Sequence, residues 1–202
     1  MRARWGVGDD QTIVIAVGRF VRKKGFEYLI DAMAQLSPNR PGLRLVLAGG
    51  GDLGPEFDAR IAAHALGGRV ILPGVLLQDD VAASLAAADL VVVPSVRDPS
   101  GNVDGLPNVV LEALASGTPL IATPAGGIGT VVRDGTTGVL VPEADPQALA
   151  RAVARLLDHA GEASALSAAA RRWAEQDGSW SHAIDGFERA YEAACRPVHA
   201  RG

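Results

Sequence analysis

Six short apolar runs, each closed by glycine, proline or aspartate, recur along this chain with helical patterns between them. No other feature constrains the fold as strongly. The runs are 12–18 (TIVIAVG), Leu43–Ala48 (LRLVLA), 69–72 (RVIL), 90–94 (LVVVP), 119–123 (PLIAT) and 138–141 (GVLV). Their centres are almost unbroken valine, isoleucine and leucine, without the apolar–polar alternation of a strand that wets one face. Strands of this kind are covered on both sides, as in a parallel sheet packed between helices. Between them, Phe26, Leu29, Ile30, Met33 and Leu36 fall at helical spacing and mark one buried face. Ile61, Ala65 and Leu66 repeat the pattern more weakly, as do Val81, Leu85 and Ala88. Strand then helix, about six times over, predicts an α/β domain: a doubly wound, Rossmann-like parallel sheet of about six strands.

The pattern changes after Pro142. Pro146–Asp158 (PQALARAVARLLD) is strongly amphipathic and starts with proline, where a missing N–H costs nothing. Two further helical stretches, 162–176 and 181–195, are separated by Asp177-Gly178-Ser179-Trp180. The expected organisation is a linker-like segment over 1–11, one Rossmann-like domain over 12–176, and a helix with a tail over 177–202.

Composition removes several function classes. The 202 residues carry 19 basic and 23 acidic side chains, a net charge of −4, so affinity for a phosphate backbone is not expected and no nucleic-acid partner is assigned. Aromatic residues make up 4%, too few for a base-stacking platform. Cys195 is the single cysteine, which excludes an intramolecular disulfide and a cysteine-rich zinc site. The start, Met1-Arg2-Ala3-Arg4-Trp5, lacks the apolar run of a signal peptide, and no stretch approaches the roughly 20 apolar residues of a bilayer span. A soluble protein of the cytoplasm, or one peripheral to the inner face of the membrane, is the expectation.

In a doubly wound sheet, ligands bind beyond the carboxyl ends of the strands, beside helix N-termini. The first such loop, Gly18-Arg19-Phe20-Val21-Arg22-Lys23-Lys24-Gly25, gathers cations where a helix begins. Arginine offers a planar fork to phosphate oxygens and lysine a mobile point charge; a solvated basic loop accounts for the same residues. Gly49-Gly50-Gly51-Asp52 follows the second run. It lets a ligand approach the backbone or merely packs closely, and it has neither the dinucleotide fingerprint nor a P-loop lysine. The richest segment is 94–117, PSVRDPSGNVDGLPNVVLEALASG. Here Gly105-Leu106-Pro107-Asn108 opens a helix, with Pro107 read as its first-turn proline and the free N–H groups of Asn108 and Val109 facing the loop. Asp104 stands before the turn and Glu112 eight positions later. A partly buried glutamate needs partners: a vicinal diol serves, and so does an arginine from a neighbouring helix.

Taken in order, these motifs resemble the donor-binding, C-terminal half of glycosyltransferase family 4, retaining enzymes of GT-B architecture. The resemblance spans roughly 12–157, with a fainter echo at Ser179-Trp180. It rests on Gly18-Arg19 with Lys24-Gly25, on Leu45-Val46-Leu47-Ala48-Gly49-Gly50-Gly51, on Pro94-Ser95, and on Asp104 to Glu112 followed by ALASGTP. It rests also on Gly126-Gly127-Ile128 and on GTTGVLVP over 135–142. The expanded loop from Ser95 to Asp104 looks most like members that build bacterial exopolysaccharides.

The resemblance implies transfer of a sugar from a nucleoside-diphosphate donor to a saccharide or lipid-linked acceptor, without a metal or other cofactor. It assigns the diphosphate to Arg19 and Lys24, the ribose hydroxyls to Glu112, and the donor sugar to Asp104. Arg19, Lys24 and Asp104 are thus the implied catalytic set. The backbone of Gly105, Leu106, Pro107, Asn108 and Val109 contacts the sugar and the distal phosphate. Gly18 and Gly50 border the donor, and Val75, in the loop 74–77, contacts the base. Two departures stand out: Asp104 is one methylene shorter than the usual glutamate, and Thr130 replaces a frequent acid. The resemblance further implies a separate or missing N-terminal domain that binds acceptor, without which this half is weak or inactive. Alternatives are a non-catalytic nucleotide-sugar-binding fragment and a sugar-nucleotide epimerase of GT-B architecture. His64 and His159 are expected within helices and His182 and His199 in the tail, all structural or exposed. Trp173, Trp180, Phe187 and Tyr191 are expected to be exposed or repacked where the other domain would lean.

Overall fold

The computed structural model describes residues 1–195; His199 lies outside them, and the side chains of Trp180 and Ala193 are likewise outside the described part. In chain order the elements are β1 (Thr12–Val17), α1 (Phe26–Leu36), β2 (Leu43–Ala48), α2 (Gly54–Ala63), β3 (Val70–Ile71), α3 (Gln78–Ala87), β4 (Leu90–Val93), α4 (Asn108–Ser116), β5 (Leu120–Ala122), α5 (Ile128–Val131), β6 (Val139–Leu140), α6 (Pro146–Asp158), α7 (Ala160–Gln176) and α8 (Trp180–Cys195). Every strand pair is parallel, in the order β3-β2-β1-β4-β5-β6. The sheet and its winding match the sequence expectation.

The apolar runs become strands because both sheet faces are covered. Along β1, Val14 and Ala16 join one core while Ile13 and Ile15 join the other; along β4, Leu90 and Val92 oppose Val91 and Val93 in the same way. The first core is closed by α1, α2 and α6, the second by α3, α4 and α7. Asp145 caps α6, its carboxylate accepting from the Ala148 N–H at 2.8 Å. This satisfies one of the free amides at that end.

Several local readings change. β2 keeps the bounds of its apolar run, whereas the other strands are shorter than theirs, and β3 and β6 are two residues each. Ala65 falls outside α2 with φ 53°, and buried Leu66 reaches the core from the turn rather than from the helix. His64 and His159 are the residues just past α2 and α6, not interior positions. His64 Nε2 sits 2.9 Å from Asp31. Trp180 begins α8 instead of preceding it. The 1–11 segment carries a 3₁₀ turn, Arg2–Trp5, with Arg2 placed 3.2 Å from Asp89. Trp173 is half-buried against the second core, whereas Phe187 and Tyr191 are 68% and 72% exposed.

Candidate functional site

The strand order reverses between β1 and β4, so the loops leaving their carboxyl ends diverge and open a crevice. Main-chain contacts lace the rim around it. Phe20 N–H donates to the Gly50 carbonyl at 2.8 Å, Gly49 N–H to Gly74 at 2.9 Å and Val96 N–H to Lys23 at 2.9 Å, and Gly127 N–H donates to Gly105. Two glycines are required by this lacing. A Cβ on Gly49 (φ +149°) would stand 1.8 Å from the Gly18 carbonyl oxygen, and one on Gly126 (φ +57°) 1.8 Å from that of Asp104. Gly49 therefore answers to packing. Gly50, which lines the cavity together with Gly18 and Gly49, has the room that Gly49 lacks, since its Cβ would meet only Val75 at 3.4 Å.

Beneath the basic loop lies an aromatic cluster. Phe20, Phe26 and Phe57 are all buried, with ring centroids 5.2 to 6.3 Å apart. Burial of three phenyl rings, about 1.5–3 kcal/mol each, clamps both ends of the loop and fixes the cations between them. The cations then separate. Arg22 turns outward to Glu56, at 2.5 Å, and Glu27, at 3.4 Å, and these acids raise its pKa further above the usual arginine value. Lys23 and Lys24, in a 3₁₀ turn before α1, turn into the crevice.

There they meet Asp104. Lys23 Nζ lies 2.8 Å from its Oδ1 and Lys24 Nζ 2.5 Å from its Oδ2, with all three side chains 14–16% exposed. Burial alone pushes the Asp104 carboxyl up, but the proximity and charge of the two lysines outweigh it and hold the pKa below the usual aspartate range. Oδ2 is shut from solvent with no well-directed hydrogen bond, so its contact with Lys24 is an ion pair rather than an aligned donor–acceptor bond. Lys23 carries no signal in the sequence beyond its adjacency to Lys24; the two side chains leave the 3₁₀ turn in different directions, and their flexible four-carbon stems let them converge on one carboxylate.

Gly18, Arg19, Gly50 and Val75 come together around a cavity of about 210 Å³. Arg19 is exposed at its mouth and joins none of the ion pairs among the described residues. Across the crevice, Pro107 is the residue before α4 rather than part of its first turn, and no side chain caps that end. The amides of Asn108 and Val109 thus remain available to an anion.

Glu112 lines a different cavity, of about 380 Å³, with Leu111, Ala115, Trp173 and Ser179. Burial pushes its pKa up, and it has no arginine partner among the described residues. Five residues into α4, it stands roughly 6 Å along the axis from the free amides, and helical side chains lean toward the N-terminus. No group of three or more potential metal ligands occurs among the described residues, and no described helix is long and apolar enough to cross a membrane.

Comparison with known proteins agrees with this geometry. The family described as "Glycosyl transferases group 1" matches residues 1–173. The D-inositol 3-phosphate glycosyltransferase of Mycolicibacterium smegmatis is 35% identical over 205 residues, covering 99% of this chain and 44% of that protein. The alpha-D-kanosaminyltransferase of Streptomyces kanamyceticus is 35% identical over 158 residues, 78% of this chain and 39% of its own. Among solved structures, Anabaena Alr3699/HepE in complex with UDP superposes with a TM-score of 0.84 at 25% identity, over 95% of this chain and 51% of that one. The C-terminal domain of a Francisella tularensis group 1 glycosyl transferase (LpcC) shares the fold, at a TM-score of 0.75 and 21% identity over 89% of this chain and 93% of that domain. The chain spans about half or less of the length of the curated relatives it matches. Its sheet is the Rossmann-like half of the GT-B fold, and the chain belongs to the group 1 glycosyl transferases.

Proposed function

We propose that this chain is the donor-binding half of a retaining glycosyltransferase of family 4, moving a sugar from a nucleoside-diphosphate donor to a saccharide or lipid-linked acceptor. The observation that carries this reading is the convergence of Lys24, Asp104 and the uncapped start of α4 at the β1/β4 reversal, with Arg19 at the adjoining cavity. Lys24, Arg19 and the amides of Asn108 and Val109 receive the diphosphate and stabilise the charge that builds on it as the bond to the anomeric carbon breaks. That is the task a divalent ion performs elsewhere, so no metal is required. Asp104 orients the sugar, the backbone of Gly105 to Val109 contacts sugar and distal phosphate, Val75 borders the base, and Glu112 receives the ribose hydroxyls. A UDP complex of a relative at 25% identity and a GDP-mannose-dependent one at 33% support a nucleotide donor.

The acceptor is assigned to a separate N-terminal domain, and the cytoplasm or the inner membrane face to the location, with a surface polysaccharide or glycolipid as the product class. The site is tested by calorimetric titration of UDP-glucose and GDP-mannose into the chain with a chelator present. Metal-independent binding of either one supports the reading, and binding of neither removes it. A second reading, nucleotide-sugar binding without transfer by the chain alone, is favoured by Ile184, Phe187 and Tyr191, which leave one face of α8 bare. Donor consumption measured with and without a candidate N-terminal domain separates the two.

A further inference from the structure

We infer that Lys23 is a positioning residue, the cation that stays with Asp104 when a diphosphate takes Lys24. The inference rests on the donor-site reading above. Asp104 meets one ammonium group at each oxygen, Lys23 at Oδ1 and Lys24 at Oδ2, and the three side chains are almost equally buried. If Lys24 turns to a diphosphate, Asp104 loses one counter-charge and gains an anion as neighbour. A carboxylate in that position with no remaining cation takes up a proton, because burial and a nearby negative charge both disfavour ionisation. A protonated Asp104 presents a donor where an acceptor for a sugar hydroxyl is needed. Lys23 prevents this.

Its backbone is held for the task, with the Lys23 carbonyl accepting from Val96 N–H at 2.9 Å. The turn is closed by Gly25 in the left-handed region, where a Cβ would stand 2.0 Å from the Pro94 carbonyl oxygen. The other charged groups near the pair are few. Asp98, on the loop after β4, feels the Lys23 charge, Arg22 is engaged by Glu56 and Glu27, and the β5 loop meets the Asp104 backbone through Gly126. The aspartate at position 104, with its short side chain, lies within reach of the turn that carries both lysines.

The experiment is the pH dependence of sugar-nucleotide affinity between pH 5.5 and 8, with UDP-glucose and GDP-mannose as probes, since a diester diphosphate does not titrate in that range. Wild type should bind with nearly constant affinity and, by calorimetry in buffers of different ionisation enthalpy, with no net proton uptake. Lys23→Met should bind with affinity falling toward tenfold per pH unit, the limit for uptake of one proton. Lys23→Arg should restore the flat profile, and Lys23→Met with Asp104→Asn should be flat as well. A Lys23→Met profile as flat as wild type overturns the inference, and so does proton uptake by wild type, a measurement that needs no variant to fold. Failure of wild type to bind either probe strikes the donor-site reading instead, so the two failures are distinct.

Discussion

Lys24 Nζ lies 2.5 Å from Asp104 Oδ2, so the lysine read as a phosphate contact and the acid read as a sugar contact are each other's partners. On the proposed reading, a nucleotide-sugar entering the crevice exchanges this pair for two new contacts, diphosphate to Lys24 and a sugar hydroxyl to Asp104. The exchange is balanced for Lys24, to which the diphosphate supplies the negative charge that Asp104 supplied before, but not for Asp104, which keeps Lys23 as its cation.

Lys24→Ala should therefore weaken sugar-nucleotide binding by roughly ten- to a hundredfold, the range of one charge-assisted contact, and leave binding of the bare nucleoside nearly unchanged. Calorimetry on both ligands checks this. Equal losses for the two would remove the phosphate role.

Asp104→Asn leaves two buried ammonium groups facing a neutral amide and should cost about 2–3 kcal/mol at pH 7, near the low end for a broken buried pair. The sign of its pH dependence follows from the lowered pKa of Asp104. A carboxyl whose folded pKa lies below its unfolded value of about 3.9 contributes stability above that value and loses it as pH falls through the folded pKa. Urea unfolding should show the full gap between wild type and variant at pH 7, closing in acid below about pH 4.

Glu112 runs the other way. Burial raises its pKa, so its ionised form is penalised in the folded chain and stability falls as pH rises from the unfolded value through the folded one. Glu112→Gln should stabilise the chain at pH 7, by under about 1 kcal/mol for a partly exposed group, with no difference below the unfolded glutamate value of about 4.3. The same variant should weaken nucleotide binding if the ribose role holds. Thermal melts at two pH values and one titration check both expectations.

Gly126→Ala places a methyl group 1.8 Å from the Asp104 carbonyl oxygen at a φ of +57°. The loop after β4 must shift, at a cost of roughly 1–3 kcal/mol in strain, and Asp104 shifts with it. Sugar-nucleotide affinity should drop along with stability. Gly129→Ala is the control in the same segment, since its Cβ would meet nothing nearer than 3.8 Å.

Much of the framework was legible in the residues themselves. Val, Ile and Leu runs covered on both faces leave little choice but a parallel sheet, and the Pro146–Asp158 helix has the bounds its proline and periodicity predict. Strand ends were less legible. At β3 the apolar run continues to Leu72, one residue past the strand, and at β6 it continues to Val141, whose N–H still donates to the Ala122 carbonyl at 2.9 Å, so hydrophobicity alone does not report where a strand ends. At the site, Gly18, Arg19, Gly50 and Val75 line one cavity because they leave adjacent strands on the same rim. The double hold of Asp104 by Lys23 and Lys24 was not foreseen. It depends on how two long lysine side chains bend back to one carboxylate from a 3₁₀ turn that starts them in different directions, which residue types alone do not report. The placement of Glu112 beside Trp173 was not foreseen either, because that wall is built by α7 (Ala160–Gln176), far along the chain from α4.

The laced rim has a consequence for how such a domain diversifies. Carbonyls and amides of five successive loops tie one another down, so the collar around the crevice is specified by backbone and a few glycines. Segment 97–103 hangs outside that collar, anchored chiefly through its own Asp98 turn. Sequence drift there can reshape what the crevice admits while the collar keeps its form, and amide exchange should divide the two into slow and fast classes at that boundary.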